Sequence, residues 1–240
     1  MSRKDNSYLQ YDALNWQQQV KTGINSTLHD FILRNIISRH TGDEIKVFDM
    51  GFGIGRFPEL LQETLPGAYK KVILEGCEPS VKNYEYFRSR ISEEKLSGLR
   101  TFNNTLLGTD TSTKFHFLTA VYVFTHISSD ELEAVVQKIS DMLDPGGQFI
   151  MVMVNEDYLE ENMDVQTFRL IERSEFDLDG KRYWQVLHYT DIPQIGTIID
   201  HSRQEQLYLD LFKKNGLDLS ISADLIDHGY PCRILGFSKA

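Results

Sequence analysis

The sequence predicts an α/β protein with a doubly wound, mostly parallel sheet and helices on both of its faces. Between residues 45 and 154, apolar strand-like segments alternate with amphipathic helical segments, and strands joined in this way run parallel through right-handed crossovers. The strand segments are almost continuously apolar, as in sheets that are covered on both faces. A length of 240 residues suits one domain of this kind.

Most of the predicted elements are bounded by recognisable sequence signals. Pro66-Gly67 ends a helix, and Ser128 with Glu131 has the spacing of a capping box. The predicted strands are 45–48, 72–78, 101–102, 115–123 and 148–154, with closing strands at 217–221 and 233–237. The predicted helices are 57–65, one opened by Pro79-Ser80, 128–143, and one that starts near Ser202 and ends by 213–216.

Two segments lie outside this alternating core. Before the first strand, the apolar spacing predicts two helices, the first of which ends near Gly23. After residue 154, strand-like segments at 168–171 and 183–188 flank Asp179-Gly180, a common hairpin-turn dipeptide. This second segment is therefore predicted to be an antiparallel insertion into the wound sheet.

The composition limits the classes of molecule that the protein is expected to bind and the compartment in which we expect it. The chain has 25 basic and 35 acidic residues, a formal net charge of −10, which argues against binding to nucleic acid. No apolar run approaches the ~20 residues that cross a bilayer, so no membrane association is expected, and the first residues lack the apolar core of a signal peptide. With only two cysteines, no disulfide framework is expected. We therefore predict a cytoplasmic protein.

The segment from Val47 to Gly55 predicts a ligand-binding loop. An apolar strand ends at Asp49, and glycines follow at alternate positions, Gly51, Gly53 and Gly55. Because glycine has no Cβ, such a loop can adopt positive φ values and let a ligand lie against the backbone. Glu78 ends the second strand, where a carboxylate typically accepts hydrogen bonds from a ribose. These features indicate an adenosine-containing cofactor.

The spacing of the glycines distinguishes between cofactors. A dinucleotide site typically has Gly-x-Gly-x-x-Gly, which makes an NAD-linked dehydrogenase a distant alternative. The combination of Asp49 and the glycines, Glu78-Pro79-Ser80, and Leu143-Asp144-Pro145-Gly146-Gly147 resembles class I S-adenosylmethionine-dependent methyltransferases over residues 46–154. This resemblance implies a Rossmann-like, seven-stranded sheet with an antiparallel last strand, and S-adenosyl-L-methionine as the cofactor.

The resemblance also implies roles for individual residues. The glycine loop would hold the methionine end of the cofactor and Glu78 the ribose, while Asn103, Asn104 or Thr105 would read the adenine. Two departures from the family pattern are His116, where an acid is common, and the bulky Phe52 within the loop. The cofactor-binding residues implied are Asp49, Gly51, Phe52, Gly53, Gly55, Glu78, Pro79, Asn104, Thr105 and Tyr122.

The expected reaction is methyl transfer to an oxygen or nitrogen atom of a small molecule. Histidine is a suitable base near neutral pH, and the candidate catalytic residues are His126, His188 and His201, each of which has a packing role as its alternative. No metal site is predicted, since no His, Cys or carboxylate spacing typical of one occurs. The alternatives are an RNA or protein methyltransferase and a non-catalytic protein that binds the cofactor.

We expect a single methyltransferase domain over residues 1–240 with four parts. These are an N-terminal helical lid (1–40), a cofactor-binding core (41–154), an insertion (155–200), and a closing helix and strands (201–240). Aromatic residues in the lid and the insertion suit a substrate pocket, although aromatic residues at this spacing more often belong to the core. The insertion is predicted to be either a cover for the substrate or a homodimer contact through an exposed strand edge.

Overall fold

The chain is built around a seven-stranded sheet, to which a three-stranded sheet is attached. The computed structural model describes residues 7–18, 26–91, 98–227 and 229–240. The large sheet contains β1 (Glu44–Met50), β2 (Lys71–Cys77), β3 (Leu99–Phe102), β4 (Phe115–Val121), β5 (Leu143–Val154), β9 (Leu217–Asp227) and β10 (Tyr230–Lys239). The small sheet contains β6 (Phe168–Leu178), β7 (Lys181–Ile192) and β8 (Gly196–Arg203).

The strand order of the large sheet is β3-β2-β1-β4-β5-β10-β9. Strand β1 pairs in parallel with both β2 and β4, whereas β10 is antiparallel to both β5 and β9. The order reverses beside β1, and the carboxyl ends of β1 and β4 therefore flank a crevice of the kind in which wound sheets bind ligands. The predicted mostly parallel, seven-stranded sheet with an antiparallel last strand is confirmed.

Helices cover both faces of the large sheet, as predicted. Successive side chains of a strand point to opposite faces, so Val47 packs in one core cluster and Phe48 in the other. One face carries α1 (Ser26–Arg39), α2 (Arg56–Thr64) and α3 (Val81–Arg90), and the other carries α4 (Ser129–Met142) and α6 (Glu205–Lys214). A further helix, α5 (Glu156–Asn162), follows β5. Among the described residues, no helix is long and apolar enough to span a membrane.

The insertion differs from the prediction in having a third strand. The hairpin turn at Asp179-Gly180 is confirmed, with positive φ values at both residues. The predicted start of a helix near Ser202 is wrong, because Ser202 pairs with Val186 as part of β8 and α6 begins only at Glu205. Ser202 and Glu205 have capping-box spacing in the sequence, but the ladder hydrogen bonds of β8 outweigh that local signal.

The N-terminal segment crosses between the two sheets, and we call residues 7–18 the strap. It forms a 3-10 helix over Ser7–Ala13 rather than the predicted amphipathic α-helix, whose predicted end near Gly23 lies outside the described residues. The carboxylate of Asp12 accepts a hydrogen bond from the Ser80 hydroxyl at 2.6 Å. At its other end, the Asn15 N–H donates to the carbonyl of Ile195 at 2.9 Å. The strap therefore joins the large sheet to the insertion.

Candidate active site

The glycine loop leaves β1 with three left-handed residues. Gly51, Gly53 and Gly55 have φ values of +66°, +58° and +84°. A Cβ added at Gly53 would meet no atom within 4 Å, so that this part of the loop faces open space. A Cβ at Gly55 would lie 1.8 Å from Cδ2 of Phe87. Gly53 thus exposes backbone to a ligand, whereas Gly55 allows the loop to pack closely on α3.

Two carboxylates are buried at the ends of β1 and β2. One oxygen of Asp49 accepts a hydrogen bond from the Thr119 hydroxyl at 2.7 Å. The two oxygens of Glu78 accept hydrogen bonds from the N–H groups of Gly53 and Ser80, each at 2.8 Å. Burial raises the pKa of both carboxyl groups to about 7, because a buried charge is poorly solvated. A bound cation or hydrogen-bond donor would stabilise their ionised forms.

A cavity extends from this loop to the strap and the small sheet. Its walls come from the large sheet and its loops, the strap, and strands β7 and β8. It therefore lies between the glycine loop and the insertion, at the crevice beside β1. The predicted site residues that line it are Asp49, Gly51, Phe52, Gly53, Glu78, Pro79, Tyr122 and His126.

The loop after β3 lies next to the cavity without lining it. The side-chain amide of Asn103 donates a hydrogen bond to the carbonyl of Glu78 at 2.8 Å. The side chains of Asn104 and Thr105 bond instead to the backbone of Gly108, at 2.8 Å and 3.3 Å. The assignment of these residues to the adenine thus stays a prediction that rests on the resemblance.

His126 forms the centre of a polar cluster at the far end of the cavity. Its Nδ1 lies 3.0 Å from a carboxylate oxygen of Asp200 on β8. Its Nε2 contacts the Tyr11 hydroxyl and lies 3.2 Å from the hydroxyl oxygen of Thr125. The other Asp200 oxygen accepts a hydrogen bond from Thr190 at 2.7 Å. A carboxylate at Nδ1 favours a proton on that nitrogen and leaves Nε2 as the basic nitrogen on the cavity side.

Asp200 is ionised at neutral pH despite its burial. Burial by itself would raise the pKa of the Asp200 carboxyl group. The neighbouring His126 and His188, together with the hydrogen bond from Thr190, outweigh that effect and hold the pKa below its ordinary value. The cluster thus contains a charged carboxylate that can stabilise an imidazolium at His126.

The other two predicted histidines lie outside the cavity lining. His188 is buried, its Nε2 lies 2.8 Å from the Ser202 hydroxyl oxygen, and burial lowers its pKa. His201 follows Asp200 directly in β8, so the two side chains point to opposite faces of the small sheet. Of the three candidate bases, the structure therefore brings only His126 to the cavity.

A comparison with known protein families bears directly on this site. Residues 47–147, which include the glycine loop, Glu78 and His126, match the family model described as a methyltransferase domain. Over this segment, which is less than half of the chain, the protein is similar to methyltransferase domains. No curated protein sequence matches significantly.

Solved structures show the same fold over most of this chain. An S-adenosylmethionine-dependent methyltransferase from Clostridium acetobutylicum is 15% identical and superposes with a TM-score of 0.65 over 94% of this chain and 96% of that chain. The N-methyltransferase NodS from Bradyrhizobium japonicum, in complex with S-adenosylhomocysteine, is 12% identical, with a TM-score of 0.64 over 98% and 99%. Magnesium protoporphyrin IX methyltransferase from Synechocystis, with S-adenosylmethionine bound, is 13% identical, with a TM-score of 0.60 over 94% and 84%. At these identities the likeness establishes the fold.

Two residues of the candidate site could not be assigned from the sequence. Tyr11 is one of the aromatic residues of the predicted lid, and the sequence gives it no specific role. The sequence gives Asp200 no role either. Asp200 belongs to β8, a strand that the sequence analysis did not predict. The segment 196–203 has two adjacent apolar residues followed by four polar ones, so it carries no polar–apolar alternation that would have predicted this strand.

Proposed function

We propose that the protein transfers a methyl group from S-adenosylmethionine to an oxygen or nitrogen atom of a small molecule. The observation that carries the proposal is one cavity with two chemically different ends. Asp49, Gly53 and Glu78 form one end, and the His126–Asp200 pair forms the other. The first end is suited to a cofactor and the second to the removal of a proton from an acceptor.

The residues at the first end fit this cofactor. Each Glu78 oxygen accepts one backbone hydrogen bond and retains capacity for a second, as the two hydroxyls of a ribose require. Asp49 lies beside the loop and would face the positively charged methionine end, whose charge stabilises the ionised carboxylate. Asn104, Thr105 and Gly55 remain part of the proposed cofactor site through the resemblance. When bound, the cofactor supplies an electrophilic methyl group on a positively charged sulfur.

The residues at the second end would remove a proton and hold the acceptor in place. Nε2 of His126 accepts the proton of the attacking hydroxyl or amine, and Asp200 stabilises the resulting imidazolium. A positioned base of this type contributes roughly 10²- to 10⁴-fold to a rate. The remaining acceleration comes from alignment of the two reactants within one cavity.

The elements that line the cavity favour a small acceptor over RNA or a protein. Tyr11 and Trp16 of the strap and Thr190, Ile198 and Asp200 of the small sheet all line it. The insertion therefore serves as a cover in this proposal, although the free edge of β6, with Ile171 exposed, suits a homodimer contact. A cytoplasmic location is part of the same proposal and rests on the composition.

Isothermal titration of the protein with S-adenosylmethionine and S-adenosylhomocysteine tests the cofactor site. We expect binding of both, and we expect Glu78→Ala to weaken it by about 1–3 kcal/mol, or roughly 5- to 150-fold. Glu85→Ala, which removes an exposed carboxylate from the same region, is the matched control. An absence of binding to the wild-type protein contradicts the proposed function.

A second experiment separates an enzyme from a binding protein. Incubation with methyl-labelled cofactor and a metabolite extract should transfer label to a small molecule. Binding of the cofactor without label transfer favours a non-catalytic protein instead. Label in tRNA or protein after addition of those substrates supports the macromolecular alternatives.

A further inference from the structure

The second end of the cavity is apolar except for one polar cluster. Trp16, Phe168, Ile195 and Ile198 form its walls, and the Trp16 and Tyr11 rings are stacked with centroids 5.1 Å apart. The polar groups are concentrated around His126. Walls of this kind accommodate a flat, largely apolar molecule that carries a single polar group at one edge.

The charges around the cavity exclude one class of acceptor. Among the described lining residues there are four carboxylates, Asp49, Glu78, Asp200 and Asp227, and a single Lys or Arg side chain, Arg56. Arg56 itself interacts with Asp227. At the second end, an acceptor that already carries a carboxylate or phosphate would lie near the charged Asp200 and would meet no free Lys or Arg among these residues.

The same charges disfavour an alkylamine as the acceptor. An ammonium group near these carboxylates is stabilised in its protonated form. A protonated amine has no lone pair with which to attack a methyl group. A neutral hydroxyl avoids both difficulties, since it is uncharged on entry and needs only a base to become a nucleophile.

A tyrosine side chain of the protein already contacts the proposed base, His126. The hydroxyl of Tyr11 contacts Nε2 of His126, and the two rings are T-shaped with centroids 4.7 Å apart. An aromatic hydroxyl can therefore reach the basic nitrogen from the cavity side. The Tyr11 hydroxyl occupies the position from which a substrate would have to transfer its proton.

We propose, on the basis of the proposed function, that the acceptor is an uncharged aromatic hydroxy compound whose hydroxyl takes the place of the Tyr11 hydroxyl at His126. The hydroxyl proton moves to Nε2 as the oxygen forms its bond to the methyl carbon. The carbon–sulfur bond breaks, its electron pair remains on sulfur, and the sulfonium becomes a neutral thioether. The imidazolium then releases its proton to water.

Three naphthalene compounds that differ only in their functional group test which class of acceptor is methylated. The purified full-length protein is incubated with S-adenosylmethionine and 2-naphthol, 2-(aminomethyl)naphthalene or 2-naphthoic acid, and methylated product is measured by mass spectrometry. We expect methylation of the naphthol alone. Preferential methylation of the amine or the acid, or no turnover of the naphthol while S-adenosylhomocysteine still binds, overturns the acceptor class and leaves the cofactor site standing. Loss of cofactor binding as well overturns both proposals.

A Tyr11→Phe variant tests the position of the hydroxyl. This substitution removes the Tyr11 hydroxyl, which competes with the substrate hydroxyl for Nε2 of His126. We therefore expect KM for 2-naphthol to fall about fivefold, which corresponds to the free energy of one net hydrogen bond. Affinity for S-adenosylhomocysteine, measured by titration, should stay within twofold. A large fall in kcat with an unchanged KM would assign Tyr11 to proton relay and overturn the proposed placement.

Discussion

Nδ1 of His126 lies 3.0 Å from a carboxylate oxygen of Asp200, and the two residues come from different parts of the fold. His126 follows β4 of the large sheet, whereas Asp200 lies on β8 of the inserted sheet. The contact brings a group from the insertion to the edge of the large sheet at which Asp49 and Glu78 also lie. The insertion therefore contributes a side chain to the candidate site.

We predict that Asp200→Asn lowers kcat by roughly 10²- to 10⁴-fold, the range of general base catalysis. An asparagine amide can donate to Nδ1 and favour a proton on Nε2, so that His126 can no longer accept one there. Turnover of the accepted substrate and titration with S-adenosylhomocysteine measure the two effects, and cofactor affinity should not change.

Two further measurements separate this role from a structural one. Nitrogen-15 chemical shifts of the His126 ring should report a proton on Nδ1 in the wild-type protein and on Nε2 in Asp200→Asn. Asp191→Asn, on the neighbouring strand β7 and outside the cavity lining, is the matched control. If kcat were the same in both variants, Asp200 would have no role in positioning His126.

A second prediction concerns the pH dependence of stability. Burial raises the pKa of Asp49 and Glu78 to about 7, whereas the pKa values of these residues in an unfolded chain are about 4. Between about pH 4 and 7 the folded protein therefore binds more protons than the unfolded chain. Since the slope of stability follows this difference in bound protons, the contribution of both groups to the free energy of unfolding falls as pH rises through that interval.

Replacement of Asp49 by Asn removes one of the two carboxyl groups whose pKa is raised. In the absence of cofactor, we expect Asp49→Asn to unfold several degrees above the wild-type protein at pH 8 and to differ little from it at pH 4 to 5. The same variant should lose affinity for S-adenosylmethionine. Thermal melts across this pH range, with and without S-adenosylhomocysteine, measure both effects. Parallel pH profiles for the two proteins would show that Asp49 is not the titrating group.

The cofactor end of the cavity could be predicted from the sequence, whereas the acceptor end could not. Asp49 lies near the end of β1, Gly53 lies in the loop after β1, and Glu78 follows β2. The parallel sheet brings the carboxyl ends of these two strands together. Their position is therefore a consequence of local pattern and fold. Tyr11 and Asp200 lie in segments for which the sequence predicts a different structure. The strap was predicted to be an α-helix, and the end of β8 was predicted to be the start of a helix.

The choice among the three histidines also required the tertiary structure. His126, His188 and His201 are equally suited to catalysis as residue types. Which of them reaches the cavity depends on the pairing of β7 with β8, because this register places Asp200 toward His126 and turns His201 to the opposite face. No local spacing in the sequence encodes that contact.

Addition of one methyl group at Gly53 and at Gly55 of the glycine loop is predicted to have different effects. Gly55→Ala combines a φ of +84° with a Cβ that would lie 1.8 Å from Phe87, so we expect loss of the folded protein. Gly53→Ala meets no neighbouring atom and should cost only ~1–2 kcal/mol of backbone energy. Its methyl group would nevertheless enter the cavity and weaken cofactor binding.

Circular dichroism melts and titration with S-adenosylhomocysteine distinguish these effects. Gly146→Ala is the control, since Gly146 has a φ of +75° with no atom within 4 Å and lies outside the cavity lining. It should match the stability of Gly53→Ala and keep the wild-type affinity. Equal affinity of the two alanine variants would show that the loop at Gly53 does not contact the cofactor.

The strap is predicted to control the release of the cofactor. Asp12 holds it to the start of α3 through hydrogen bonds from the Ser80 hydroxyl at 2.6 Å and the Lys82 N–H at 3.1 Å. Because Tyr11 and Trp16 line the cavity, we expect that loss of the Asp12 contacts loosens the strap and lets a bound molecule leave more readily. We expect Asp12→Ala to speed dissociation of S-adenosylhomocysteine about fivefold or more, which corresponds to the loss of one to two hydrogen bonds.

Trp16 fluorescence provides the readout for this release. In a Trp184→Phe background it is the only tryptophan signal, since the chain has two tryptophans, and stopped-flow displacement gives the dissociation rate. Asp30→Ala, which removes an exposed carboxylate from α1, should leave the rate unchanged. Equal rates in Asp12→Ala and the wild-type protein would mean that the cofactor leaves by a path that does not involve the strap. Faster release with unchanged thermal stability would instead show that the strap acts as a gate and not as a structural brace.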